Sequence, residues 1–281
     1  MDETFQIGDF CFQILFSKDI HIPDNFMKFQ SKIDHIDYTY YIEVNEQFPL
    51  PDGKQIAVRE DLMVYQNDSL EMRYIGVKGT DGYYACYQEI DNKHACIYLH
   101  PDKLKGLNID PVFSSLLALE KRMVYFHEII LHCAYIRYQN QAILFTAPSG
   151  TGKSTQADLW QKYLHSKTIN GDRSLLGKKN DQWIAQGWPV CGSSEICHNM
   201  KTPIRAIVVL SQEKNNDVEK LSPAKAFPHI YSQITINKWN QRNHLHIIDL
   251  IEDLIYKVPV YHLGCTISKE AVDCLYEMIY K

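Results

Sequence analysis

The chain has 281 residues, 45% of them apolar and 22% charged, with a formal net charge of -5. That length can bury one large core or two modest ones; the composition excludes a wholly disordered chain, and the acidic balance argues against a protein built to coat nucleic acid. Met1-Asp2-Glu3-Thr4-Phe5 is acidic and is not followed by the apolar run of a secretory signal. No window reaches the ~18 apolar residues of a spanning helix, and the most apolar one, residues 124–136, is interrupted by His127, Glu128 and His132. The expectation is a soluble, cytoplasmic protein with no nucleic-acid or membrane partner. Eight cysteines scattered without a tight framework read as reduced thiols. Cys191 and Cys197-His198 stand too far apart for the usual zinc pair.

Residues 5–100 are a series of short aromatic and β-branched runs, at 10–16, 38–44, 55–59, 62–66, 70–77, 83–90 and 95–99. Turn-forming separators such as Pro51-Asp52-Gly53, Asn67-Asp68 and Asp81-Gly82 make hairpins the natural connections, so the pattern predicts an antiparallel β-rich domain over residues 1–108. Its many tyrosines suit aromatic cross-strand pairing.

Over residues 110–130, Phe113, Leu116, Leu117, Leu119, Met123 and Phe126 recur at three- and four-residue intervals, which predicts one amphipathic helix opening a second domain, residues 109–281. Two strand-like runs come next, at 134–138 and 142–146, the second leading directly into Ala147-Pro148-Ser149-Gly150-Thr151-Gly152-Lys153-Ser154-Thr155. A helix is expected over 154–164, short strands at 168–169 and 183–186, and a strand buried on both faces at 206–210, where five apolar residues stand in a row. Helices are expected over 223–236 and 245–256, a strand at 258–263, and a last helix over 268–280 capped by Ser268.

The motif G-x-x-x-x-G-K-[ST] cradles phosphate because a glycine-rich turn presents successive backbone N–H groups at a helix N-terminus. Here Ala147 stands at its first position. Gly150 and Gly152 allow the turn; Lys153 suits the β- and γ-phosphates and the Ser154 hydroxyl suits magnesium, with Pro148, Ser149, Thr151 and Thr155 completing the loop. The expected ligands are ATP and Mg2+.

Transfer to a hydroxyl needs a carboxylate near the γ-phosphate, and Asp172 in Ile169-Asn170-Gly171-Asp172-Arg173 comes just after the strand that succeeds the loop helix. The apolar run at 206–210 is followed by Ser211-Gln212 with no closing Asp, unlike the magnesium-holding strand of common ATPases and GTPases.

His132-Cys133-Ala134-Tyr135-Ile136, residues 142–155 and Asn170-Gly171-Asp172-Arg173 together resemble the catalytic domain of HPr kinase/phosphorylase, itself related to ATP-dependent phosphoenolpyruvate carboxykinase. The resemblance spans roughly residues 125–278 and implies an α/β fold, an HPr-kinase-like P-loop domain, behind the β-rich domain (α+β overall). It implies a catalytic set of His132, Lys153 and Asp172, and magnesium held by Ser154, Asp172 and Glu195. Where the family carries two adjacent acids, this chain has Gly171 and Asp172, so Asp172 is expected to serve as base and metal ligand together. The family's glycine-rich, Glu-containing signature is replaced by residues 187–195, which argues against phosphorolysis and against HPr as acceptor.

Shorter relatives of this layout occur beside genes for ribosomally made peptides, including lasso-peptide precursors whose terminal serine they phosphorylate, and the chain looks most like these. The resemblance therefore implies transfer to a serine-type hydroxyl on a peptide or small protein, and a homo-oligomer is compatible with it. A small-molecule kinase, acting for example on free serine, and a non-catalytic nucleotide-sensing adaptor remain the alternatives.

Overall fold

The computed structural model describes residues 2–17 and 20–281, so Met1, at the head of the acidic N-terminal run, lies outside the described residues. The chain forms two compact units, Met1–Leu119 and Glu120–Lys281, divided beyond residue 108 and at the start of a helix.

The first unit holds β1 (Asp2–Ile7), β2 (Phe10–Phe16), a short helix α1 (Asp24–Met27), β3 (Tyr38–Val44), β4 (Lys54–Arg59), β5 (Leu62–Asn67), β6 (Leu70–Gly76), β7 (Tyr83–Glu89) and β8 (His94–Leu99). They make one sheet in the order β1-β2-β3-β8-β7-β6-β5-β4. The antiparallel expectation is corrected at β3, which runs parallel to both β2 and β8. Parallel neighbours cannot be joined by a hairpin, and the β2–β3 connection accordingly carries α1. Aromatic cross-strand pairing holds as expected: Tyr65 of β5 meets Tyr74 of β6 edge-on with ring centroids 6.0 Å apart, and Tyr74 lies 5.7 Å from Tyr83 of β7. The buried Tyr40 hydroxyl donates to the Leu117 carbonyl at 2.8 Å.

The single helix expected over residues 110–130 is two, α2 (Asp110–Ser115) and α3 (Leu119–Tyr125). Ala118 between them has φ +48°, a left-handed conformation that ends α2, while Leu117 N closes on Ser114 O in a tighter turn. Of the six spaced apolar residues Phe113, Leu116, Leu117, Leu119 and Met123 are buried and Phe126 only partly so, but periodicity does not register one reversed backbone angle.

The second unit comprises β9 (Ile129–Tyr138), β10 (Gln141–Thr146), α4 (Lys153–Leu164), β11 (Lys167–Asn170), β12 (Arg173–Lys179), β13 (Gln182–Gln186), β14 (Lys201–Gln212), β15 (Asp217–Lys220), α5 (Pro223–Tyr231), α6 (Gln241–Lys257), β16 (Val260–Cys265) and α7 (Lys269–Tyr280). The run at 206–210 forms the middle of β14, parallel to both β10 and β16. Alternate residues face opposite cores. Leu144, Ile207 and Val209 pack with Ile230 of α5 and Ile251 of α6, whereas Phe145, Val208 and Leu210 pack with Trp160 of α4 and Leu275 of α7. Helices thus cover both faces, which is why the strand reads as a continuous apolar run. β9 begins at Ile129, not 134, because its first half pairs with β12, a strand not expected from the sequence, and its second half pairs with β10. His132 therefore sits inside a strand. Ser268 caps α7 as expected, its side chain accepting from Ala271 N at 3.3 Å.

None of the eight cysteines is joined in a disulfide. Among the described residues no helix is long and apolar enough to cross a membrane.

Candidate functional site

β10 ends at Thr146 and α4 begins at Lys153, so the glycine-rich loop joins the C-terminal end of a buried parallel strand to a helix N-terminus. Gly150 and Gly152 have φ +81° and +116°, and a Cβ on either would meet nothing within 4 Å. Backbone angle, not crowding, therefore calls for glycine there. Gln156 N closes the first helical bond, on Gly152 O, which leaves the N–H groups of Lys153, Ser154 and Thr155 without a partner in the helix. The Lys153 side chain is buried and folds back over the loop, donating from Nζ to Ala147 O at 2.9 Å and Pro148 O at 3.2 Å. Burial lowers its pKa, and the negative charge of Asp172 opposes that shift. Thr151 Oγ1 also donates to Pro148 O, at 2.9 Å.

Asp172 is positioned by the residue two before it. The fully buried Asn170 accepts at Oδ1 from the backbone N–H groups of Asp172 and Arg173, each at 2.9 Å. Its Nδ2 donates to Trp188 O at 2.8 Å and Val190 O at 3.1 Å, so this turn is anchored to the segment after β13. The pairing of β9 with β12 places His132 opposite Arg173. The carboxylate lies between the two: His132 Nε2 is 3.4 Å from Oδ1 and Arg173 Nε is 3.2 Å from Oδ2. A carboxylate only accepts, so Nε2 carries the proton in that contact. The hydrogen bond from His132 holds the Asp172 carboxyl below its ordinary pKa; burial opposes this, and the charges of Arg173, His132 and Lys153 reinforce it. The His132 backbone N–H donates to Gln233 O at 2.9 Å, and Nδ1 lies 3.1 Å from the side-chain amide of the same glutamine, which places Gln233 behind the ring.

One cleft of about 270 Å³ is lined by His132, Lys153, Ser154, Asp172 and the loop residues Ser149, Gly150, Gly152 and Thr155, closed by Gly171, Ser193 and Ser194. Residues from His132 to Ser194 thus meet at one place. Pro148 contributes its carbonyl to Lys153 and Thr151, and Thr151 lines a neighbouring cavity instead. Glu195, expected among the metal ligands, does not line this cleft. It ends the short turn Gly192–Ser194 with φ +55° and lies exposed, while the two serines before it form the wall. Among the described residues lining the cleft, Asp172 is the one carboxylate.

Ser193, Ser194 and Gln233 were not singled out from the sequence. Serine and glutamine carry no spacing signal, and their roles arise from where two loops return to β9 and β11.

The fold and site define a mixed α/β protein with a glycine-rich loop at a strand-to-helix junction. The chain belongs to the family described as SynChlorMet cassette protein ScmC, whose model matches residues 97–277. No curated protein matches it. Among solved structures, the Hpr(Ser) kinase/phosphatase from Coxiella burnetii aligns with 53% of this chain and 95% of its own, at 10% identity and a TM-score of 0.31.

Proposed function

We propose that the chain is an ATP- and magnesium-dependent kinase that transfers the γ-phosphoryl group to a serine-type hydroxyl on a peptide or small protein. The observation that carries this reading is the presence of the Asp172 carboxylate, held ionised by His132 and Arg173, in the same cleft as Lys153 and Ser154. The order of strand histidine, loop and post-helix acid is that of the HPr kinase/phosphorylase catalytic domain, and we assign the second unit to that type.

The unpaired N–H groups of Lys153, Ser154 and Thr155 and the Lys153 ammonium bind the phosphates. Hard oxygen donors suit magnesium, and the Ser154 hydroxyl and Asp172 carboxylate in one cleft fit it; the ion would supply charge neutralisation on the phosphoryl oxygens. The acceptor oxygen attacks the γ-phosphorus, the bond to the β–γ bridging oxygen breaks, ADP leaves, and the hydroxyl proton passes to Asp172. His132 acts through Asp172 by fixing the carboxylate's orientation and charge. Glu195 does not line the cleft and is left out of this metal set.

The competing reading is a nucleotide-sensing adaptor. It is favoured by Gly171, where a second acid would require Ser194 to shift. Single-turnover transfer from γ-labelled ATP to serine-containing peptides, free serine and water separates these readings. Phosphopeptide formation is expected. Labelled free serine alone would make the chain a small-molecule kinase, and binding without transfer to any acceptor would make it an adaptor.

A further inference from the structure

We propose that the first unit holds a site of its own, in which Cys11, His35 and Asp37 bind one zinc-type divalent ion. A sulfur, an imidazole nitrogen and a carboxylate oxygen from these three residues lie within 4.8 Å of one another. Strand register brings them together. β2 and β3 run parallel with Phe12 opposite Tyr38, so Cys11, one residue before Phe12, stands beside Asp37, one residue before Tyr38. Two hydrogen bonds lock that arrangement: Asp37 N donates to Cys11 O at 2.8 Å, and Cys11 N donates to Asp37 Oδ2 at 2.8 Å. The second of these engages one carboxylate oxygen, while the other, Oδ1, lies 3.6 Å from His35 Nε2.

The donor set selects the ion. A thiolate is a soft ligand and favours zinc or a neighbouring first-row ion over magnesium or calcium, and an imidazole with one carboxylate completes a set that zinc accepts. A tetrahedral ion with bonds of about 2.0–2.3 Å sets its ligand atoms roughly 3.3–3.7 Å apart. The 3.6 Å between His35 and Asp37 already matches, and rotation of exposed side chains narrows a group whose members are at most 4.8 Å apart. The Cys11 N–H on Asp37 Oδ2 is the kind of outer contact that orients a ligating carboxylate. A histidine–aspartate ion pair by itself accounts for two of the three donors; the sulfur beside them is what suits the group to a metal. Cys11 is 3% exposed and the His35 side chain 68%, so the thiolate lies beneath the ion and the imidazole reaches it from the solvent side. Three protein ligands leave the fourth position to water. The thiol proton passes to solvent on binding, and the ion ties residues 35–37 to β2.

The test is titration of the full chain with Co2+, after chelation, without nucleotide and under a phosphine reductant, followed by absorption spectroscopy. Stoichiometric Co2+ should raise a thiolate-to-cobalt charge-transfer band in the near ultraviolet together with the intense visible bands of a four-coordinate ion, and Zn2+ should bleach both. Cys11→Ser should abolish the charge-transfer band. Because replacing a buried residue can disturb the fold, His35→Ala at an exposed position is the second variant. It should keep the parent's far-UV circular dichroism and weaken Co2+ by at least about tenfold, which is the cost of losing even an outer partner of a metal site. A parent chain without the charge-transfer band, or a band unchanged in either variant, overturns the proposal. So do weak octahedral bands alone, which would put the ion on oxygen donors elsewhere in the chain. None of these outcomes touches the kinase reading, which rests on residues of the other unit.

Discussion

The Ser194 side chain occupies the space that a Cβ on Gly171 would need. Ser194 is itself tied down, donating from Oγ to Cys191 O at 2.7 Å and accepting there from Ile196 N at 3.3 Å. A side chain at position 171 therefore meets Ser194 and requires it to shift. Gly171→Ala should destabilise the second unit by about 1–3 kcal/mol through overpacking. Adding Ser194→Gly should recover more than half of that loss in a double-mutant cycle measured by chemical denaturation. Additive losses would show that the two positions are not coupled.

Lys153→Ala removes the buried ammonium that spans the Ala147 and Pro148 carbonyls. Affinity for Mg-ATP is expected to fall about ten- to a hundredfold, the worth of a charged hydrogen bond, with far-UV circular dichroism unchanged. Wild-type affinity in calorimetry would remove the loop from the phosphate site.

Asp172→Asn keeps the shape and the two N–H contacts from the backbone to Asn170 but deletes the charge between His132 and Arg173. Single-turnover transfer should drop by about 10²-fold or more, while the Kd for magnesium-free nucleotide changes little. Equal transfer by the variant and the parent would dismiss Asp172 as proton acceptor.

His132→Ala removes the largest cause of the lowered Asp172 pKa, so that pKa should rise. The acid limb of the transfer rate is then expected to move to higher pH, a shift that loss of packing alone would not produce. The linkage to stability has a definite sign. A carboxyl depressed below its ordinary 3.8 contributes stability that is full above 3.8 and is lost as pH falls through the folded pKa. The variant should be less stable than the parent near neutrality by about 1 kcal/mol, and this gap should narrow in acid. An unchanged acid limb would show that His132 does not act on Asp172.

The loop was legible because everything that makes it is local: an apolar strand, two glycines, Lys153-Ser154 and a helix-forming run lie in one stretch of chain. The burial of β14 on both faces was legible for the same kind of reason, five apolar residues without alternation. Asp172 was recognisable by its place after the loop helix and by resemblance, though nothing in its neighbourhood announced that Asn170 folds the turn beneath it. Where a reading failed, a distant partner or a single backbone angle decided the matter. β3 runs parallel to its neighbours because α1 carries the chain across, and Ala118 breaks a helix whose periodicity continues through the break.

By itself, then, the sequence determined the glycine-rich loop between a strand and a helix, the two-sided strand beside it and the aromatic pairing of the first sheet, since each is set by residue types within a few turns of chain. Only the tertiary structure decided that His132 grips Asp172, that Ser194 closes position 171 and that Glu195 stays outside the cleft. Those relations depend on strand register, which joins β9 to β12 and returns the 188–197 segment to Asn170, and a register is a property of two segments together that neither carries alone.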